Sequence, residues 1–474
     1  MRQTILLLIF IFPFLIQAQD SYKIDIKIKN SPDSLMYLAN YYGDKTYIAD
    51  TAIGRGNGHF VFEKNEKLEG GLYIAVSQTK RSLFEFLVAD ASDMKFETEG
   101  PDYIGNMKLS NSDENDLFYK YLVFSGKLYD RVRPLNEKLK TLQKGSDSIQ
   151  ILRDQISFIN KEMVEYKEDL MAEHPQSFLA AFFRLLKDPA IPDTLLTLPD
   201  GSKDSTYPYK YYKAHFWDGI DLSDDRLVRT PVFHKKLETY FDKVISKEAD
   251  SIISEIDHLL SQMNEKGDLY KFSLWHLTIK FDESQIMGHD GILVYLSDHY
   301  FAKGKAPWLH EEVIKNIIDE ADKRRGTLIG KIAPNLIMQD TNLKPRSLHD
   351  LKNKYTVLYF WDPECGHCKK ETPQLVQFYN EFKDSLDVEI FAVCADTNMT
   401  EMKNYIKEKK MNFVNVNGPR SYTKDYHDLY NIFSTPVIIV IDENKKIIAK
   451  RLVSDQLAQF INDHNRLVKR RKER

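Results

Sequence analysis

The sequence predicts a multidomain chain of three successive fold classes: an N-terminal antiparallel β domain, a middle all-α domain and a C-terminal α/β domain. Three observations carry this. At 474 residues the chain exceeds the roughly 250–300 residues at which a single hydrophobic core stops growing. The spacing of its apolar residues changes twice, from every second position to every third or fourth, and then to short buried runs alternating with helical stretches. The composition is that of a soluble globular protein, with 42% hydrophobic and 29% charged residues. A net charge of only −4 gives no reason to expect nucleic acid as a partner.

The first element is residues 1–18, which read as a signal peptide. Met1-Arg2-Gln3-Thr4 is short and basic, Ile5 to Ile16 is apolar, and Gln17-Ala18-Gln19-Asp20 offers cleavage after Ala18. The apolar run is shorter than the ~20 residues of a spanning helix, and Pro13 interrupts it. The expectation is a periplasmic protein, with membrane association only through an uncleaved signal segment.

Residues 19–108 read as a β-sandwich-like domain. Tyr22, Ile24, Ile26 and Ile28 alternate with polar residues, the period of a half-buried strand. Gly54, Gly56 and Gly58, and then Gly70-Gly71, mark turns before further β-rich runs. No helix pattern follows these glycines, so they are turn residues rather than a phosphate loop. Over residues 109–325 the period becomes helical: Leu128, Val132, Leu135, Leu139 and Leu142 share one face, which is read as core. The histidines of this region (His174, His215, His234, His258 and His276) lack metal-site spacing.

Residues 326–474 alternate strands and helices. Tyr355 to Trp361 is a nearly continuous apolar run, as in a strand buried on both faces. A helix is expected over Pro373 to Phe382, a strand over Val388 to Val393, a helix over Met399 to Lys410, and a strand over Val437 to Ile441. A hairpin into Ile447-Ile448-Ala449 follows.

Only three cysteines occur, Cys365, Cys368 and Cys394, too few for a disulfide framework. Cys365 and Cys368 form a C-x-x-C between a buried strand and a helix. Helix-start N–H groups and the helix dipole favour a thiolate there. The first sulfur can sit exposed at the tip with the second beneath it, so that a mixed disulfide formed at Cys365 is resolved by Cys368. His367, when protonated, would stabilise the thiolate further and make the pair more oxidising. A structural zinc would want a second ligand pair, and only Cys394 remains. A peroxidatic cysteine would want threonine or serine three residues earlier, where Asp362 stands.

The segment Phe360-Trp361-Asp362-Pro363-Glu364-Cys365-Gly366-His367-Cys368-Lys369-Lys370-Glu371-Thr372-Pro373 resembles the active site of thioredoxin-like proteins of the TlpA/ResA type. Gly330 to Leu336, Ser434-Thr435-Pro436-Val437 and Ile441 to Ile447 resemble the opening segment, cis-proline loop and final hairpin of the same family. The two preceding regions resemble secreted domains of unknown function. The resemblance implies a thioredoxin-like fold for the C-terminal α/β domain, Cys365 as nucleophile and Cys368 as resolving thiol. It also implies Pro436 in cis opposite them, Thr435 offering backbone groups to a substrate strand, and Glu371 as a proton shuttle for the resolving thiol. Trp361, expected to pack beneath the site, and His367 complete the substrate-binding set with Thr435 and Pro436. Two departures stand out. Tyr359 occupies the position of thioredoxin's buried aspartate, and Gly-His between the cysteines is typical of protein disulfide isomerases.

The expected function is an exported thiol–disulfide oxidoreductase acting on protein disulfides, by resemblance as a reductant fed by a membrane or periplasmic electron donor. No metal or cofactor beyond the redox-active Cys365–Cys368 disulfide is expected. The alternatives are a disulfide oxidase or isomerase, and a non-catalytic envelope binding protein in which the N-terminal regions do the main work.

Overall fold

The computed structural model describes residues 21–472 apart from 90–92, 144–146 and 195, so the expected signal segment lies outside the described residues. In Tyr22–Lys29 the residues Tyr22, Ile24, Ile26 and Ile28 all turn inward, as their alternation requires. Two four-stranded sheets form here. One runs His59–Lys64, Tyr22–Lys29, Asp93–Glu99, Lys108–Ser110; the other runs Lys45–Ile53, Leu35–Tyr42, Gly71–Ser77, Ser82–Val88. Their aromatic core includes Phe86 and Phe96, with ring centroids 4.8 Å apart. Within these two sheets every pairing among the described residues is antiparallel except Tyr22–Lys29 with Asp93–Glu99, where Ile24 lies opposite Met94 in parallel. A parallel neighbour needs a long connection, and the strands of the second sheet supply it.

The helical region opens with Asp113–Thr141, capped by the Ser112 hydroxyl accepting from the Asn115 N–H. The fully buried Asn115 side chain then bonds both the N–H and the carbonyl of Leu87, each at 2.8 Å, which fastens the helix to a strand edge. The next helix, Asp147–Glu173, meets it through a two-pronged Arg131–Glu162 pair at 2.6 and 2.8 Å. Of the stripe read as core, Leu128 is buried, whereas Val132, Leu135, Leu139 and Leu142 are only partly covered. Two paired helices cover one side of such a stripe; a third layer would be needed to close it.

By compactness the chain forms two units. One runs to Ile245 and includes Gln262–Phe272; the other comprises Ser246–Ser261 and everything from Ser273 onward. The second unit contains a seven-stranded mixed sheet in the order Pro345–Ser347, Ile337–Asp340, Val414–Ser421, Val388–Cys394, Tyr355–Trp361, Val437–Asp442, Ile447–Lys450. An interior strand, Tyr355–Trp361, is buried at all seven positions, which is why the sequence there shows no polar alternation. It pairs in parallel with Val388–Cys394 and antiparallel with Val437–Asp442. The helix expected from Pro373 begins at Gly366 instead, running through Pro373 to Phe382, because Cys365 itself caps it. The final helix is Ser454–Lys472.

Candidate active site: two unequal thiols at a strand-to-helix turn

The buried strand Tyr355–Trp361 ends at Trp361, and the chain turns within four residues into the helix Gly366–Phe382. Asp362 shapes that turn: its carbonyl accepts from the Cys365 N–H at 3.2 Å and its carboxylate from the Glu364 N–H at 2.7 Å. Cys365 is thereby placed at the helix N-cap, where its sulfur accepts from the Cys368 N–H at 3.3 Å. It is partly exposed, and as a thiol it donates to the Thr435 carbonyl at 3.2 Å. The Thr435–Pro436 bond is cis.

The two sulfurs differ sharply. Burial pushes the Cys365 thiol up, but hydrogen bonds from the Cys368 thiol and N–H, from Thr435 and from the His367 N–H outweigh it. The result lies below the ordinary value of 9.0. Cys368 is fully buried; burial first, then its hydrogen bond with Cys365, push it up to about 12. The outer sulfur is therefore held ready to ionise and the inner one held protonated. His367 is exposed and contributes to Cys365 through its backbone N–H.

Beneath Cys368 lies a buried hydroxyl cluster. The Tyr359 hydroxyl meets the Thr372 hydroxyl at 2.9 Å, and the Tyr405 hydroxyl donates to Thr372 at 3.2 Å and to the Cys368 carbonyl at 3.3 Å. Burial raises the Tyr359 and Tyr405 hydroxyls, so the position held by an acid in thioredoxin is neutral here. Trp361 is fully buried and stacks on Tyr405 with centroids 5.0 Å apart, in the same core cluster as Cys368. It packs under the pair, away from any substrate surface. Cys394, opposite Trp361 in the sheet, is a fully buried free thiol pushed up to about 12 by burial.

Glu371 is one turn beyond Cys368 and half-buried, and its Oε1 accepts from the Ser454 N–H at 2.5 Å. That bond makes it the cap of the last helix, a task invisible in the sequence. The Thr372–Tyr405 pair was also missed, since a hydroxyl contact across 33 residues leaves no local pattern. Among the described residues no group of three or more His, Cys, Asp or Glu side chains is placed to hold a metal ion.

A partly exposed, acid-shifted cysteine above a buried partner, at the start of a helix and against a cis-proline loop, defines a thioredoxin-like dithiol domain. The comparisons with known proteins agree. A model described as the AhpC/TSA family matches residues 329–450, and two models for domains of unknown function, DUF5106 and DUF4369, match 159–323 and 22–118. The thiol-disulfide oxidoreductase ResA of Bacillus subtilis (strain 168) is 33% identical over 140 residues, 30% of this chain and 75% of that protein. A ResA of Bacillus cereus is 33% identical over 146 residues, 30% of this chain and 80% of that protein. A solved domain of a possible thiol-disulfide isomerase from Cytophaga hutchinsonii ATCC 33406 shares 38% identity. It covers 30% of this chain and 96% of its own, at a TM-score of 0.29. The chain belongs to the ResA family of thiol-disulfide oxidoreductases.

Proposed function

We propose that the chain reduces disulfides of protein clients outside the cytoplasm, with Cys365 as nucleophile and Cys368 as resolving thiol. The Cys365 thiolate attacks one client sulfur, forming a mixed disulfide and releasing the other client sulfur as a thiol. Cys368 then gives up its proton and attacks Cys365, which forms the Cys365–Cys368 disulfide and frees the second client thiol. Two electrons pass to the client, and a dithiol donor at the membrane or in the periplasm must return them. The observation that carries this division of roles is geometric: Cys365 is partly exposed at the helix N-cap, and Cys368 is fully buried one turn beneath it.

Thr435 and Pro436 present backbone groups to the client strand beside Cys365. Glu371 takes the Cys368 proton through the oxygen not engaged with Ser454. Export rests on the basic, apolar and cleavable order of residues 1–18. Among the described residues no helix is long and apolar enough to cross a membrane.

The test of direction is the reduction potential of the Cys365–Cys368 couple, from titration of the full chain against dithiothreitol. A value at or below roughly −250 mV fits a donor-fed reductant, whereas about −180 mV or above assigns an oxidase or isomerase. His367 between the cysteines favours that second reading, since its charged form would stabilise the reduced thiolate. Absence of a reversible couple would leave the binding-protein alternative.

A further inference from the structure

The first two helices, Asp113–Thr141 and Asp147–Glu173, form a hairpin whose base and outer part are covered differently. At the base, Asn115 is tied to Leu87, and Tyr121 packs edge-on against Phe183 of the next helix at 4.7 Å. From Leu128 outward to Ile159, those two are the only buried side chains among the described residues. Phe158 and Ile151 stand two turns apart on one side of the second helix, with 66% and 58% of their surfaces in water. With Arg131, Leu135 and Asp154 they line an open groove along the hairpin. Exposed apolar surface that runs on along an element marks an interaction site.

The two edges of this face differ in charge. Along the first helix, Lys120, Lys127, Arg131 and Lys138 recur at spacings of seven and four, which puts them on one edge. Along the second, Asp154, Glu162, Glu165 and Asp169 recur at spacings of eight, three and four, beside Phe158. A face with one basic and one acidic edge complements a second copy of itself. With a twofold axis along the helices, each basic edge lies over the other copy's acidic edge; with the axis across them, basic meets basic. The two-pronged Arg131–Glu162 pair sets the height of one helix against the other. Lys138 is seven residues farther out than Arg131, and Asp154 eight farther out than Glu162, so the two stand at the same height. Lys138 of one copy therefore meets Asp154 of the other. The size also suits a second copy: a face ~40 Å long and ~20 Å broad offers about 800 Å² per copy, as in a standard specific interface.

We propose that the hairpin joins two copies of this chain into a twofold dimer. Its four helices form a bundle with both hairpins pointing the same way, and Phe158 of each copy seats in the groove of the other. This gives the helical region a task that the dithiol does not supply, and it stands apart from the direction of electron flow.

The experiment is sedimentation-velocity ultracentrifugation of the reduced full chain at micromolar concentration. The wild type is expected at twice the mass of one chain. Phe158→Asp should weaken the dimer at least about thirtyfold, as loss of an anchoring aromatic does. Helical circular dichroism should stay unchanged, because that side chain lies mostly in water. Lys138→Glu and Asp154→Lys should each weaken the dimer about tenfold by opposing like charges, and the two together should restore it. Those exposed charge positions decide the matter if Phe158→Asp loses helix. A wild type that sediments as a monomer overturns the dimer and leaves the face to a different protein. A dimer unmoved by Phe158→Asp overturns this face as its interface. A doubly charge-reversed variant no tighter than either single one overturns the arrangement with the axis along the helices.

Discussion

The rim and the floor of the active site are separated by a single helical turn, yet they are built by opposite rules. The rim, with Cys365, His367, Thr435 and Pro436, is partly or wholly exposed and offers hydrogen-bond donors to a negative sulfur. The floor, with Cys368, Thr372, Tyr359, Tyr405 and Trp361, is buried and offers neutral hydroxyls and aromatic faces. On the proposed reading, the contrast matches the two halves of exchange. A sulfur that attacks must be reachable and ionised, whereas a sulfur that waits must be unreachable and protonated.

The largest expected break is covalent. Cys365→Ser abolishes disulfide exchange, whereas Cys368→Ser leaves the first attack intact and accumulates a mixed disulfide, visible by intact-mass analysis. Equal loss in both variants, with no trapped adduct, would remove the division of labour. The next test is alkylation of the reduced chain with iodoacetamide across pH. Cys365 should reach half-maximal reactivity below pH 9.0, and its rate should fall as pH drops through its own pKa. Cys368, held protonated up to about 12, should stay unmodified throughout the neutral range.

Glu371→Gln sharpens the boundary between rim and floor. Glutamine still accepts from the Ser454 N–H, so the cap survives. The resolving step should slow on the order of a hundredfold if the carboxylate takes the Cys368 proton. Quenched-flow decay of the mixed disulfide reads this directly, and an unchanged rate would leave Glu371 as a cap alone. The smallest effect belongs to Tyr405→Phe. It deletes the hydroxyl that bonds both Thr372 and the Cys368 carbonyl, and should cost about 1 kcal/mol in urea unfolding of the reduced chain.

The rim was legible in the sequence because its features are local. A C-x-x-C directly after a seven-residue apolar strand fixes where both sulfurs stand, and Ser434-Thr435-Pro436 is contiguous. The floor was legible only as an anomaly, namely Tyr359 where an acid was expected. Its partners Thr372 and Tyr405 lie 13 and 46 residues further along, and no period relates them. The same holds for the rest of the fold. Alternation gave the inward face of Tyr22–Lys29 but not its parallel partner Asp93–Glu99, because alternation fixes a face and not a neighbour. Helical spacing grouped Leu128 with Val132, Leu135 and Leu139, but spacing does not count the layers that will cover them. Trp361, read as packing beneath the site although grouped with the substrate-binding residues, belongs to the floor for a local reason: it is the last residue of a strand buried on both faces.

Glu371 ties the redox helix to the end of the chain, since the carboxylate one turn beyond Cys368 also holds the first N–H of Ser454–Lys472. A negative charge at a helix start contributes about 0.3–1 kcal/mol, and a protonated carboxyl loses most of it. On the proposed route Glu371 carries a proton only while the resolving step is in progress. During that interval the last helix is held less firmly than before or after. Turnover would then leave a periodic signature some 80 residues downstream of the sulfur chemistry, a brief slackening at Ser454 that keeps time with each client released.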